Sequence, residues 1–144
     1  MNRANLEVPF NRPDVDEADI ARVVATLRSG WITTGPVVRE FETALKRYLA
    51  VPRVVCLNSA TAGMELVLRA LGIGPGDEVI TTVYTYAATA NVVRHSGARL
   101  VLVDTAPGGF LIDPQAVAAA LTPRTKALMP VDFAGLPADC THLR

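Results

Sequence analysis

The sequence has little of several things, and each shortage removes a class of function. Only two of the 144 residues are cysteine, and Cys56 and Cys140 have no CxxC spacing, so both read as buried or incidental thiols and not as a disulfide or a metal site. Fourteen basic and fourteen acidic residues cancel, with no block of one sign, which leaves nothing to draw a nucleic acid or an acidic membrane electrostatically. No apolar run approaches the roughly 18 residues of a membrane span. The opening MNRANLEVPF carries no signal-peptide core, and the two observations together predict a cytoplasmic protein. Lysine is scarce: Lys46 and Lys126 are the only two. No GxGxxG follows a strand-like run, so a dinucleotide fold of the usual kind is a poor fit, and no repeat or low-complexity tract occurs.

What is present suits one globular core. Half the residues are apolar and 19% are charged, with a mean hydropathy of +0.28; a domain of this length buries about 68–70% of its unfolded surface. The chain is organised around residues 53–71, RVVCLNSATAGMELVLRAL. Val54 to Leu57 read as a buried strand, Asn58 and Ser59 as a turn, and a helix opens near Thr61. Such a junction gathers free backbone N–H groups and the positive end of a helix dipole, so it can cradle an anion without a charged side chain. It is equally an ordinary strand-to-helix turn with Ser59 as N-cap. Within that helix only Glu65 and Arg69 are charged, four apart, which predicts a mostly buried helix.

Around this stretch the chain alternates helix and strand. Residues 1–13, interrupted by Pro9 and Pro13, form an irregular arm. Asp14 and Glu17 have the spacing of a capping box ahead of a helix over 14–29, its apolar positions Ile20, Val23, Val24 and Leu27 at helical intervals and Ser29-Gly30 at its end. A loop with Trp31, Thr33 and Thr34 either lines a site or is anchored on the core by its tryptophan. Pro36 then starts a helix with the stripe Val37, Phe41, Leu45, Tyr48 and Leu49. Gly72, Gly74, Pro75 and Gly76 turn the chain into a strand over 79–83. Tyr84 and Tyr86 stand where that strand gives way to a helix containing Ala87, Ala88, Thr89 and Ala90. His95 falls at the far end of the helix, facing the dipole and not acting as a catalyst. A strand over 99–103, a helix begun by Asp113-Pro114 and running to Leu121, and a strand over 126–131 complete the pattern, followed by a strand-end loop, DFAG. Strand-helix repetition argues for α/β architecture, mainly parallel strands with flanking helices. Ligand crevices of such sheets lie beyond the carboxyl ends of the strands, which is where the Ser59 and Tyr86 turns both fall and are expected to face one crevice.

The motifs GWITTGPVVREFE, LNSATAGMELVLRALGIGPGDEVI, TYAATANVVRHSGARLVLVD and LTPRTKALMPVDFAGLPAD, in that order, resemble the amino-terminal portion of the DegT/StrS family of sugar aminotransferases. These are fold-type I enzymes that use pyridoxal 5'-phosphate (PLP). The resemblance implies a partial fold-type I large domain, with residues 1–35 as an arm, helix and loop and residues 36–144 as an incomplete PLP-binding domain. It implies that Ala60 and Thr61 hold the PLP phosphate, although many relatives have glycine at position 60. It places Tyr86 against the pyridine ring and Thr33 and Thr34 near the substrate, a nucleotide-linked keto sugar, with an amino acid as donor.

The family's Schiff-base lysine and its ring-nitrogen carboxylate both come later than the residues given. Neither Lys46 nor Lys126 matches that lysine, so no catalytic residue is assigned and the chain alone is expected to be inactive, any PLP being bound non-covalently. In the family's larger sheet the first strand lies at one edge and the second and third at the other. On that arrangement the first and fourth strands here lack neighbours, which predicts a fragment completed by a second polypeptide, or a homodimer. Two other readings stay open: a non-catalytic relative that binds PLP or a sugar nucleotide, and a non-functional truncated product.

Overall fold

The computed structural model describes residues 12–143, so nearly all of the expected arm lies outside the described residues. The chain divides into two compact units between Cys56 and Leu57, whereas the sequence suggested a boundary at 35/36.

The first unit contains α1 (Glu17–Arg28) and α2 (Pro36–Tyr48). The capping box of α1 is Asp16 with Asp19, not Asp14 with Glu17. Asp16 Oδ1 accepts from the backbone N–H of Ala18 and Asp19, at 2.8 and 2.9 Å, and the Asp16 N–H returns a bond to Asp19. The run DVDEAD offers several acidic caps, and the one that closes both halves of the box sets the helix start. Pro36 opens α2 as expected, its fixed φ and missing N–H suiting the first turn. Arg22 of α1 pairs with Glu40 of α2, both exposed. Trp31 is not anchored on a core. It is 58% exposed, donates its indole N–H to the Thr34 carbonyl at 2.9 Å, and lies so close over Gly35 that a Cβ there would stand 2.4 Å from its ring.

The extended run Val54–Leu57 is not a strand. Among the described residues no strand pairs with it, and without a ladder its backbone finds other acceptors: the Cys56 N–H donates to Glu42 Oε1 at 2.8 Å.

In the second unit three parallel strands, β1 (Glu78–Thr82), β2 (Arg99–Val103) and β3 (Thr125–Met129), lie in the order β2-β1-β3. The strand expected at 126–131 therefore does have a neighbour, because β3 pairs with β1. Helices α3 (Ala60–Ala70), α4 (Ala87–His95) and α5 (Pro114–Ala120) flank the sheet. All five residues of β1 are buried, as a central parallel strand requires. Alternation then divides the core: Val79 packs with Leu68, Val92 and Val93 of α3 and α4, while Ile80 packs with Val103, Ile112 and Val117. Thus α4 and α5 cover opposite faces, which right-handed crossovers running in opposite directions across the sheet, β1 to β2 and then β2 to β3, demand. Contrary to the sequence reading, α3 is not mostly buried. Leu68 alone is fully covered, and Leu66 and Val67 are exposed, since only one face of the helix meets α4 and the sheet.

The amino ends of the strands are tied by one carboxylate. Glu78 is 1% exposed. Its Oε1 accepts from Arg124 Nε and Nη2 at 3.0 and 2.7 Å and from Arg99 Nη1 at 3.1 Å, and its Oε2 accepts from Thr122 Oγ1 at 2.7 Å. The Thr122 hydroxyl and the Arg124 guanidinium hold this carboxyl below the usual glutamate value. Both cysteines are free.

Candidate functional site

The carboxyl ends of β1 and β3 enclose a cavity of about 450 Å³, lined chiefly by Tyr84, Thr85, Tyr86, Asp132, Phe133 and Ala134. Its two walls are built differently. Tyr86 is the N-cap residue of α4, makes no side-chain cap bond and is 82% exposed. The backbone beneath it is fixed by a bond from the Thr89 N–H to the Tyr86 carbonyl at 3.0 Å and by the Thr85 and Thr89 hydroxyls, 2.7 Å apart. The other wall turns sharply through Phe133–Gly135, with φ of 51° at Ala134 and 80° at Gly135. Left-handed backbone is ordinary for glycine and strained for alanine. Asp132 Oδ1 accepts from the Ala138 N–H at 2.9 Å.

Three rings stand over this end of the sheet, each from the loop after a different strand. Tyr84 and Phe133 meet edge-on with centroids 4.9 Å apart, and Phe110 lies 5.2 Å from Tyr84 and 5.0 Å from Phe133.

Of the residues expected at the site, Tyr86 lines the cavity, while Ala60 and Thr61 do not; the Ser59 and Tyr86 turns are not gathered into it together. Ala60 and Thr61 form the first turn of α3. The Ser59 hydroxyl caps the Ala62 N–H at 3.1 Å and the Ser59 carbonyl accepts from Gly63 at 3.1 Å, which leaves the first two N–H groups of the helix for an external acceptor. The N-cap reading and the anion-cradle reading of this turn are therefore compatible. Thr33 and Thr34 are exposed in the first unit, where Thr34 serves the Trp31 indole. His95 ends α4, and its Nδ1 lies 2.8 Å from Glu65 Oε1. Glu65 of α3 thus meets His95 of α4. Asp132, Phe133 and Phe110 were not singled out by sequence; the one available sign was the DFAG loop following a strand. Among the described residues no three metal-ligating side chains come together, and no helix is long and apolar enough to cross a membrane.

A parallel α/β sheet with an aromatic-walled cavity at its carboxyl edge matches part of the large domain of a fold-type I aminotransferase. The sequence pattern of the DegT/DnrJ/EryC1/StrS aminotransferase family matches residues 13–144, and the chain belongs to that family. It is 49% identical to a protein of Streptococcus pneumoniae assigned as a sugar aminotransferase and solved with PLP, over 94% of this chain and 35% of that one, with a TM-score of 0.89. Against DesV of S. venezuelae the identity is 41% over 87% of this chain and 34% of that one, with a TM-score of 0.82. Against NtdA of Bacillus subtilis, solved with bound cofactor PMP, it is 36% over 99% of this chain and 34% of that one, with a TM-score of 0.85. The chain therefore spans about a third of the length of these relatives.

Proposed function

We propose that this chain supplies the ring-stacking and phosphate-binding part of a PLP-dependent sugar aminotransferase that acts on a nucleotide-linked keto sugar with an amino-acid donor. The observation that carries the reading is Tyr86, an aromatic ring with no other employment, standing in a cavity at the carboxyl ends of parallel strands. The uncommitted N–H groups of Ala60 and Thr61 fit a phosphate group. When bound, PLP supplies an electron sink that lets an amino group be exchanged for a carbonyl oxygen.

In this reading Ala60, Thr61 and the Thr61 hydroxyl hold the phosphate, Tyr86 orients the ring and excludes water from one face, and Thr33 and Thr34 belong to the substrate side. Residues 36–144 act as an incomplete PLP-binding large domain behind the 1–35 arm. Neither lysine lines the cavity: Lys126 lies near the amino end of β3, the end opposite Tyr86, and Lys46 lies in the last turn of α2. PLP binding by this chain is accordingly reversible, and turnover requires a lysine from a further segment or a complementing carboxyl-terminal half; a second copy of this chain, with the same two lysines, would complete a homodimer but not supply that group.

Absorbance titration of the purified chain with PLP, repeated after borohydride treatment, tests this. A saturable spectral change without a reduced protein adduct is expected. No change, or a stable adduct on Lys46 or Lys126, would overturn it.

A further inference from the structure

Phe110 does not line the cavity and belongs to neither buried cluster. It is 54% exposed, yet it touches both Tyr84 and Phe133, the aromatic side chains that carry the two walls. The geometry points to a brace. Tyr84 follows β1 and Phe133 follows β3, and the third ring arrives from the loop after β2, so one side chain bridges loops that the hydrogen-bond ladder no longer connects. Tyr84 and Phe133 meet edge to face at 68°, and Phe110 lies tilted on both, at 34° and 41°, with all three centroid separations inside the roughly 4.5–7 Å range of favourable aromatic pairs. Directly beside Phe133, Ala134 keeps a left-handed backbone. Such a conformation persists in a residue with a Cβ only when its surroundings over-determine it.

We propose that Phe110 is a positioning residue for this cavity: by docking on Tyr84 and Phe133 together it fixes the spacing of loops 83–86 and 131–134 and, through Tyr84, the orientation of Tyr86 toward a flat ring. The last clause rests on the PLP reading above; the spacing of the loops does not.

Hydrogen exchange of the Tyr84, Phe133 and Leu136 amides, compared among the natural chain and its Phe110→Ala, Phe110→Leu and Phe110→Tyr variants, separates the two. In the Ala and Leu variants both aromatic pairs of Phe110 are lost, one from each loop, and these amides exchange roughly 2- to 10-fold faster, the effect of one lost pair on each loop, while the β1 amides stay protected. Phe110→Tyr, which keeps the ring, restores the natural rates. Unchanged rates in Ala and Leu, or a Tyr variant as fast as Leu, would overturn the brace. Should Phe110→Ala lose protection throughout β1, the Leu and Tyr variants decide by the same criteria. PLP titration of the same proteins reads the second part: affinity falls by a similar factor in Ala and Leu and returns in Tyr. Faster exchange with unaltered affinity would overturn the orientation of Tyr86, and a natural chain that binds no PLP would overturn the cofactor reading while the exchange result stands.

Discussion

The two ends of the three-stranded sheet are built on opposite plans. At the amino end one buried carboxylate takes donors from three directions, with Arg99 and Arg124 reaching in from side chains that are themselves 69% and 59% exposed. At the carboxyl end the contacts are ring against ring, one alanine is strained, and a cavity stays open. Directional, fully satisfied bonds leave no room for a ligand; aromatic contacts are tolerant of sliding and leave faces exposed. The contrast teaches that the sheet is fastened at its amino end and left open at its carboxyl end, the end beyond which the ligand crevices of α/β sheets lie.

The comparison can be broken most forcefully at Glu78. Replacing it with alanine removes four charge-assisted bonds at once and lowers the thermal midpoint, followed by circular dichroism, by roughly 5–10 °C. Next in size is Tyr86→Ala, which weakens PLP binding by roughly 2- to 10-fold in the absorbance titration and leaves the melting temperature almost unchanged, because the ring is exposed. Equal effects of both substitutions on stability would erase the distinction between the ends.

Acid sharpens it. The Thr122 hydroxyl and Arg124 lower the Glu78 value below the ordinary 4.5, so its contribution is complete above pH 4.5 and is lost as pH falls through the lowered value. Asp139, held low by His142, acts with the same sign, so the quantity to measure is the gap in melting temperature between the natural chain and Glu78→Gln. That gap is constant near neutrality and shrinks below pH 4.5. The smallest effect is at Ala134: glycine there relieves the left-handed strain but loosens the unfolded chain, for a net gain of about 0.5 kcal/mol in chemical denaturation.

Legibility followed the range of the interactions. Where a few adjacent residues decide the outcome, the sequence was readable: Pro36 opens α2, Asp113-Pro114 opens α5, Ser59 caps α3, and β2 spans Arg99–Val103 as expected. Local signals also failed by small shifts, as when Asp16 and not Asp14 capped α1. Val54–Leu57 has the composition of a strand, but a strand is a property of a pair, and none of the described residues pairs with it. The burial of Glu78 was not legible, because nothing in GDEVI reveals that its donors lie at 99, 122 and 124. Of the site, Tyr86 was legible through its position after a strand; Phe110 and Phe133 were not, since their meeting depends on how three separate loops converge.

The spacing of those donors also imposes a timetable. Arg99 follows Glu78 by 21 residues, Thr122 by 44 and Arg124 by 46. During synthesis the Glu78 carboxylate therefore waits through the passage of β2 and α5 before its last donor emerges, and the wait is set by synthesis, because the cost of closing a loop rises only slowly with its length. Glu78 is thus a late lock: its last donors arrive just ahead of β3, so the amino end of the sheet is secured together with the strand that completes it.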